Sequence, residues 1–244
     1  MSPYIINLIY RMSDETYREP FIKEEGRFES EKTVYHAAYE EVRQLADASL
    51  LDELYSLLEE QRDNTKRKDA YFIIGYIAKN TNNLPATNFL LESLKVEKDK
   101  FTLGVILDRL AELYKPVDLD LSPIYKLTKS RNSIVRGSAF EALTNTGYKV
   151  EDYLLEHLSE AQKKEDVRPL LSALFYVGSE KAIPLVEKQL KHRAPVIKSY
   201  AHNVLTVILI RRGLSKSEIA KRVKVSEAFV QHHFENMKEF TRPG

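Results

Sequence analysis

The fold of this chain is decided by the stretch Asn132-Ser-Ile-Val-Arg-Gly-Ser-Ala-Phe-Glu-Ala-Leu143. Val135, Ala139 and Ala142 repeat at the spacing that places apolar side chains on one face of a helix. Asn145-Thr-Gly147 follows as a C-terminal cap, and a second apolar helical stretch comes next. The segment therefore predicts a pair of helices joined by a short turn, that is, a helical hairpin.

The small residue in the middle of this stretch has counterparts at a nearly constant spacing along the chain. The six positions are Ala38, Ala70, Val105, Ala139, Leu171 and Ala201. Their successive separations are 32, 35, 34, 32 and 30 residues, and a period in this range is typical of stacked repeats. A small residue lets the two helices of a hairpin approach closely, while the apolar stripes fill the interface with the next hairpin. The sequence predicts an all-α fold, a right-handed α-solenoid of about six hairpins.

These residues also carry a resemblance to a known family. Val135-Arg136-x-x-Ala139-x-x-Ala142-Leu143 resembles the first helix of a HEAT repeat, and Val167-Arg168 and Ile197-Lys198-x-x-Ala201 echo it. In the second unit Arg67 is present, but Leu103 stands at the matching place in the third. The resemblance covers residues 31–212 and implies an armadillo-type solenoid.

The resemblance gives an expected domain organisation. Residues 1–30 are expected to form N-terminal capping helices, because the first repeat would otherwise expose its core face. Residues 31–212 are the repeat array. Residues 213–244 form a C-terminal helical hairpin, which either caps the array or resembles a DNA-binding motif.

Composition narrows the possible functions. The chain has no Cys, which excludes thiolate zinc ligation and a disulfide framework and suits a reducing cytoplasm. The 8 Gly are scattered and form no phosphate-binding loop. No apolar run is long enough for a transmembrane helix, and Asn7 interrupts the short N-terminal apolar run, unlike a signal peptide. We expect no catalytic residue, metal or cofactor, and no membrane partner.

Charge is unevenly distributed although the formal net charge is only +1. Residues 1–64 carry 15 acidic and 7 basic side chains, a balance of −8, whereas residues 181–244 carry 5 acidic and 13 basic, a balance of +8. In a solenoid, sequence order is spatial order, so the concave face is expected to change from acidic to basic. The first hypothesis is therefore a non-enzymatic scaffold or adaptor that binds a protein partner through this face.

The C-terminal segment differs from the repeats. The stretch Leu214-Ser-Lys-Ser-Glu-Ile-Ala-Lys-Arg-Val-Lys-Val-Ser-Glu-Ala-Phe-Val-Gln-His-His-Phe234 resembles a helix-turn-helix. Ser215 would cap the first helix, with Glu218 completing a capping box, and Ser226 would cap the second. Lys224 stands where the family usually has Gly, so it would need a left-handed backbone.

The helix-turn-helix resemblance implies which residues would touch DNA. Glu227, Gln231 and His232 would reach base edges, and nearby basic side chains would contact phosphates. The candidate contacts to nucleic acid or to a partner are Lys181, Lys188, Lys191, Arg211, Arg212, Lys216, Lys221, Arg222, Lys224, Glu227, Gln231 and His232. DNA binding through this basic C-terminal third is the alternative hypothesis.

A repair enzyme is the third hypothesis, because some HEAT-like folds are glycosylases for alkylated bases. Those enzymes use a Trp and a catalytic Asp in a basic channel. This chain has no Trp, and Asp108 or Asp166 has no evident aromatic partner. Adjacent His232 and His233 point to different sides of a helix, so the pair is not expected to bind one metal ion.

Overall fold

The computed structural model describes residues 2–14, 21–22, 27–28 and 33–237. Within these residues the regular structure is almost entirely helical, which confirms the predicted all-α class. The helices are α1 (Pro3–Met12), α2 (Val34–Gln44), α3 (Leu51–Glu60), α4 (Asn64–Thr81), α5 (Leu84–Val96), α6 (Lys100–Glu112), α7 (Ser122–Leu127), α8 (Ser133–Ala142), α9 (Glu151–Glu160), α10 (Lys164–Val177), α11 (Ile183–Gln189), α12 (Pro195–Arg211), α13 (Lys216–Val223) and α14 (Glu227–Glu235). None of them combines the length and the apolar character needed to cross a membrane.

A short β-ribbon follows α1 and was not predicted. Strands β1 (Phe21–Ile22) and β2 (Arg27–Phe28) pair antiparallel, with Phe21 opposite Phe28. The rest of the predicted N-terminal cap, between and around these strands, lies outside the described residues.

The chain divides into two compact units, Met1–Leu113 and Tyr114–Gly244. In the first, α2, α4 and α6 pack one after another, and α3 and α5 each pack on α4. Helix α1 packs on both α2 and α4. In the second, α8, α10 and α12 pack in the same successive way, with α9 against α10 and α11 against α12. Within each unit, the first helix of a hairpin thus packs on the first helix of the next.

Capping residues explain where the helices begin. Thr33, Asp63, Asn83, Asp99 and Asn132 each accept a hydrogen bond from a backbone N–H in the first turn of the helix that follows. The cap of α4 is Asp63, because its carboxylate reaches the N–H of Lys66 at 3.0 Å.

The recurring small-residue position lies in the core of nearly every hairpin. Ala38, Ala70, Ala139, Leu171 and Ala201 are all fully buried. Val105 is the exception, since it is only partly buried. Its neighbours Gly104 and Ile106 are buried instead, so Val105 does not share the full burial of the other five positions.

The turn after α8 also differs in detail from the prediction. Asn145, not Gly147, takes the left-handed conformation, with φ of 55°. Gly147 instead donates its N–H to the carbonyl of Lys115 at 3.0 Å, and Lys115 donates to Asn145 O at 3.0 Å. The turn is therefore fixed by a chain segment about 30 residues away rather than by its own glycine.

Candidate nucleic-acid interface

The last three helices form a compact group within the second unit. Helices α13 and α14 pack on each other, and both pack on α12. Helix α12 ends at Arg211, and Gly213 just beyond it has φ of 80° and donates its N–H to Ile210 O at 2.8 Å. A helix-turn-helix normally needs a third helix to cover its inner face. In this chain that helix is α12, which is also the last helix of the series α8, α10 and α12.

The start of α13 confirms the predicted capping box. The Ser215 hydroxyl accepts from the backbone N–H of Glu218, and the Ser215 N–H donates to Glu218 Oε2 at 2.8 Å. These hydrogen bonds from Ser215 hold the pKa of the Glu218 carboxyl below its usual value. The carboxylate thus stays charged at the positive end of the helix dipole.

The turn between α13 and α14 has the predicted left-handed residue. Lys224 has φ of 60° and its side chain is exposed. The N–H of Val225 donates back to Ala220 O at 3.1 Å, which closes α13. Ser226 then caps α14 by accepting from the N–H of Phe229 at 3.2 Å. The two helices are therefore joined by residues 224–226 alone, the length typical of this motif.

The inner face of the pair is apolar except for one histidine. Ile219, Val223 and Val230 are buried. His233 is also buried, its Nδ1 lies 2.9 Å from Phe229 O, and its ring packs 4.7 Å from that of Phe229. Burial lowers the pKa of His233, so the ring is neutral at pH 7. This core position was not predicted, although the spacing of four residues between Phe229 and His233 places both on one face of the helix.

The outer face of α14 carries the residues expected to reach base edges. Glu227 and His232 are exposed, and Gln231 is partly exposed beside them. Lys216 Nζ donates to Gln231 Oε1 at 2.6 Å, and Gln231 Nε2 donates to Glu235 Oε1 at 2.6 Å. This chain of hydrogen bonds fixes the amide of Gln231 on the outer surface.

The basic residues around this face fall into two groups. Lys216, Lys221 and Lys224 are exposed, and within the described part of the chain no carboxylate is ion-paired with them. Arg222 differs, since its Nη2 lies 3.4 Å from Glu187 Oε1 on α11. All three lysines can contact phosphates, Lys216 through the N–H groups that do not donate to Gln231, whereas Arg222 links α13 to α11.

Three candidates upstream have internal partners. Lys181 pairs with Asp152 at 3.1 Å, and Arg212 pairs with Glu180 at 2.5 Å. Arg211 Nη2 donates to Phe175 O at 2.9 Å, and burial lowers its pKa. Arg211 and Arg212 thus attach the end of α12 to the preceding hairpin, whereas Lys181 links the segment before α11 to α9. Lys188 and Lys191 are exposed instead, and they line a cleft beside α13.

The candidates for catalysis and metal binding are not gathered into a site. Asp166 is bound to Arg136, whose Nε donates to Asp166 Oδ1 at 2.8 Å. Asp108 is exposed on α6. In the part of the chain that the structure describes, no group of three His, Asp or Glu side chains is arranged to hold a metal ion. The candidate functional site is therefore the surface formed by α12, α13 and α14.

No protein-family model matches the chain, and no curated protein matches it. The function is therefore inferred from the geometry of the C-terminal helices and from the packing of the hairpins.

Proposed function

We propose that this chain binds duplex DNA through α12, α13 and α14, with α14 placed in the major groove. The observation that carries the proposal is the tight turn at residues 224–226, which joins two capped helices over the apolar face of α12. This arrangement leaves one long side of α14 free of packing. Its nine residues span about 13 Å, a length that the major groove accommodates.

The exposed side chains suit base-edge recognition. An amide such as Gln231 donates to and accepts from adenine in the major groove, and Glu227 accepts from the cytosine amino group. Because Glu227 and Glu235 also repel phosphates, this face favours particular sequences over general affinity. Lys216, Lys221 and Lys224 would supply the phosphate contacts that orient the helix.

To test the proposal, DNA sites that bind the full chain are selected from a random pool of duplexes. Fluorescence anisotropy then measures the affinity for the enriched site across a series of salt concentrations. We expect binding that weakens steeply with salt. The double variant Lys216→Gln/Lys221→Gln should lose most of it. The matched control is Lys126→Gln/Lys129→Gln, which removes the same charge from exposed positions on and just after α7. Absence of binding at low salt, or equal loss in the control, would overturn the proposal.

We also propose that the hairpins are HEAT-like repeats forming a solenoid that can hold a protein partner. Its support is an ion pair that recurs with one spacing: Arg67 binds Glu97, and Arg136 binds Asp166, each 30 residues along. Such a link between successive hairpins is what a repeat predicts. Affinity purification on the full chain should yield a partner whose binding to purified protein weakens in Lys188→Glu/Lys191→Glu and is unaffected in Lys126→Glu/Lys129→Glu. If the partner's binding were unaffected in both variants, the proposal that it binds through Lys188 and Lys191 would be contradicted.

A further inference from the structure

A cleft of about 760 Å³ lies where α11, α12 and α13 meet. Its lining combines basic side chains at the rim with apolar side chains and one histidine deeper in the cleft. Its volume falls in the range of clefts that bind small molecules. The outer face of α14, where base contacts are proposed, contributes nothing to the lining.

The rim of this cleft is strongly basic. Lys188, Lys191, Arg222 and Lys224 provide four positive charges against the single carboxylate of Glu187, which leaves a net charge of +3. That carboxylate is 3.4 Å from Arg222. No described carboxylate is ion-paired with any of the three lysines. Since like charges on one rim repel each other, an anion in the cleft would relieve that repulsion as well as attract each side chain.

The floor of the cleft is apolar. Leu205, Leu209 and Val223 are each at most 2% exposed, and they pack where α13 lies against α12. Leu190 and Pro184 extend the apolar wall toward α11. Pro184 is exposed and Leu190 is partly exposed, so these two side chains give the cleft an apolar wall, which a ligand that matched only the charge of the rim would leave in contact with water.

One polar group in the lining lacks a hydrogen-bond partner. His202 Nδ1 is buried, and among the described residues it has no hydrogen-bond partner. Burial lowers the pKa of His202, and a hydrogen bond with the Val223 backbone only partly opposes this shift. The ring is therefore neutral at pH 7, and its unsatisfied nitrogen is a costly group unless a ligand or water binds it.

We infer that this cleft binds a small organic dianion, a phosphate monoester carried on an apolar body. The phosphate would lie among Lys188, Lys191, Arg222 and Lys224, and the apolar body would lie against Pro184 and Leu190. A monoester is favoured because its two charges at neutral pH match the excess on the rim more closely than a single carboxylate. This inference stands apart from DNA binding and requires none.

The experiment is isothermal titration of the full chain with 1-naphthyl phosphate in the absence of nucleic acid. We expect saturable one-to-one binding. The variant Lys188→Gln/Lys191→Gln should weaken it by about tenfold or more, because two charge-assisted hydrogen bonds are lost. The matched control, Lys126→Gln/Lys129→Gln, has the same three-residue spacing at exposed positions outside the cleft and should bind like the parent. Circular dichroism of both variants checks that they fold.

Two further probes separate the parts of the inference. Equal affinity for 1-naphthol would overturn the role of charge, and equal affinity for inorganic phosphate would overturn the role of the apolar wall. No heat of binding with 1-naphthyl phosphate, or an unchanged affinity in Lys188→Gln/Lys191→Gln, would overturn the site itself. Because the titration contains no DNA, these outcomes are independent of the anisotropy result.

Discussion

Arg67 Nη2 donates to Glu97 Oε2 across 2.6 Å, and the Glu97 side chain is only 6% exposed. The same guanidinium donates to the backbone oxygen of Leu58 at 2.9 Å. Arg67 thus binds the end of the hairpin before it and the carboxylate that precedes the next. Arg136 makes the corresponding contacts in the second unit, with Asp166 and with Ser130 O. Each of these two arginines therefore links the end of one hairpin to the carboxylate that lies near the start of a later one.

Replacing Glu97 by Gln should lower the free energy of unfolding by about 2–3 kcal/mol at pH 7, because the Arg67 guanidinium loses its charged partner. Burial raises the pKa of Glu97, but hydrogen bonds from Arg67 and from two backbone N–H groups outweigh it and hold the pKa below 4.5. The stabilisation is therefore complete above the unfolded-state value and is lost as pH falls through the lower folded value. Urea unfolding at pH 7 and pH 3 measures it.

The matched control is Glu92→Gln, since Glu92 pairs with Lys95 at an exposed position. An exposed pair contributes little, so this change should cost less than about 0.5 kcal/mol at either pH. A Glu97→Gln effect that does not shrink in acid would contradict the assigned role of the pair.

Gly75→Ala should destabilise the first unit although alanine is the better helix former. A Cβ there would lie 2.6 Å from Arg109 Cβ, and Arg109 is held 4.6 Å over the Tyr76 ring. The clash should cost about 1–3 kcal/mol. Gly104→Ala is the control, because a Cβ there meets nothing within 4 Å. It should raise stability by about 0.5–1 kcal/mol, so the two alanines are expected to shift the melting temperature in opposite directions.

Lys224→Gly should stabilise the C-terminal helices by about 1 kcal/mol, because glycine removes the strain of the left-handed backbone. The reverse test is Gly213→Ala, where φ of 80° makes any Cβ unfavourable. Thermal denaturation of the two single variants measures both effects. If Lys224→Gly were destabilising, the side chain would have to make a contact that outweighs its backbone cost.

Single changes at the proposed DNA interface should separate two kinds of contact. Lys221→Gln should reduce the slope of log affinity against log salt by about 1 and weaken all sequences alike. Gln231→Ala should leave that slope unchanged and relax the preference at one base pair. Anisotropy with the selected site and with single-base variants checks both. A loss of slope in Gln231→Ala would place that residue on the phosphates instead.

Local patterns predicted the helices well. The apolar spacing around Ala139 and Ala201 gave the first helices, and the caps at Ser215 and Ser226 gave α13 and α14 within a residue. These features are predictable because each depends on a few neighbouring side chains. The left-handed Lys224 was predictable for the same reason, since three residues must reverse the chain there.

Features that depend on distant residues were not predictable. Lys115-Pro116 indicated only the end of a helix, yet Lys115 is fully buried and bridges to Thr146. The division of the chain after Leu113 has no marker in composition. The cleft likewise brings together α11 and α13, and 26 residues of the sequence, 190–215, lie between these two helices. The cytoplasmic location and the electrostatic gradient stay predictions.

The double role of α12 restricts how this protein can be divided. The helix belongs to the hairpin series through α10 and α11, and it also supplies the floor on which α13 and α14 fold. Deleting everything after Arg212 would leave part of that floor facing water, so loss of activity in such a truncation would report misfolding as much as a missing interface. A minimal fragment that contains α13 and α14 would have to begin at Pro195, so that it includes α12. The chain without that fragment would expose the sides of α10 and α11 on which α12 packs.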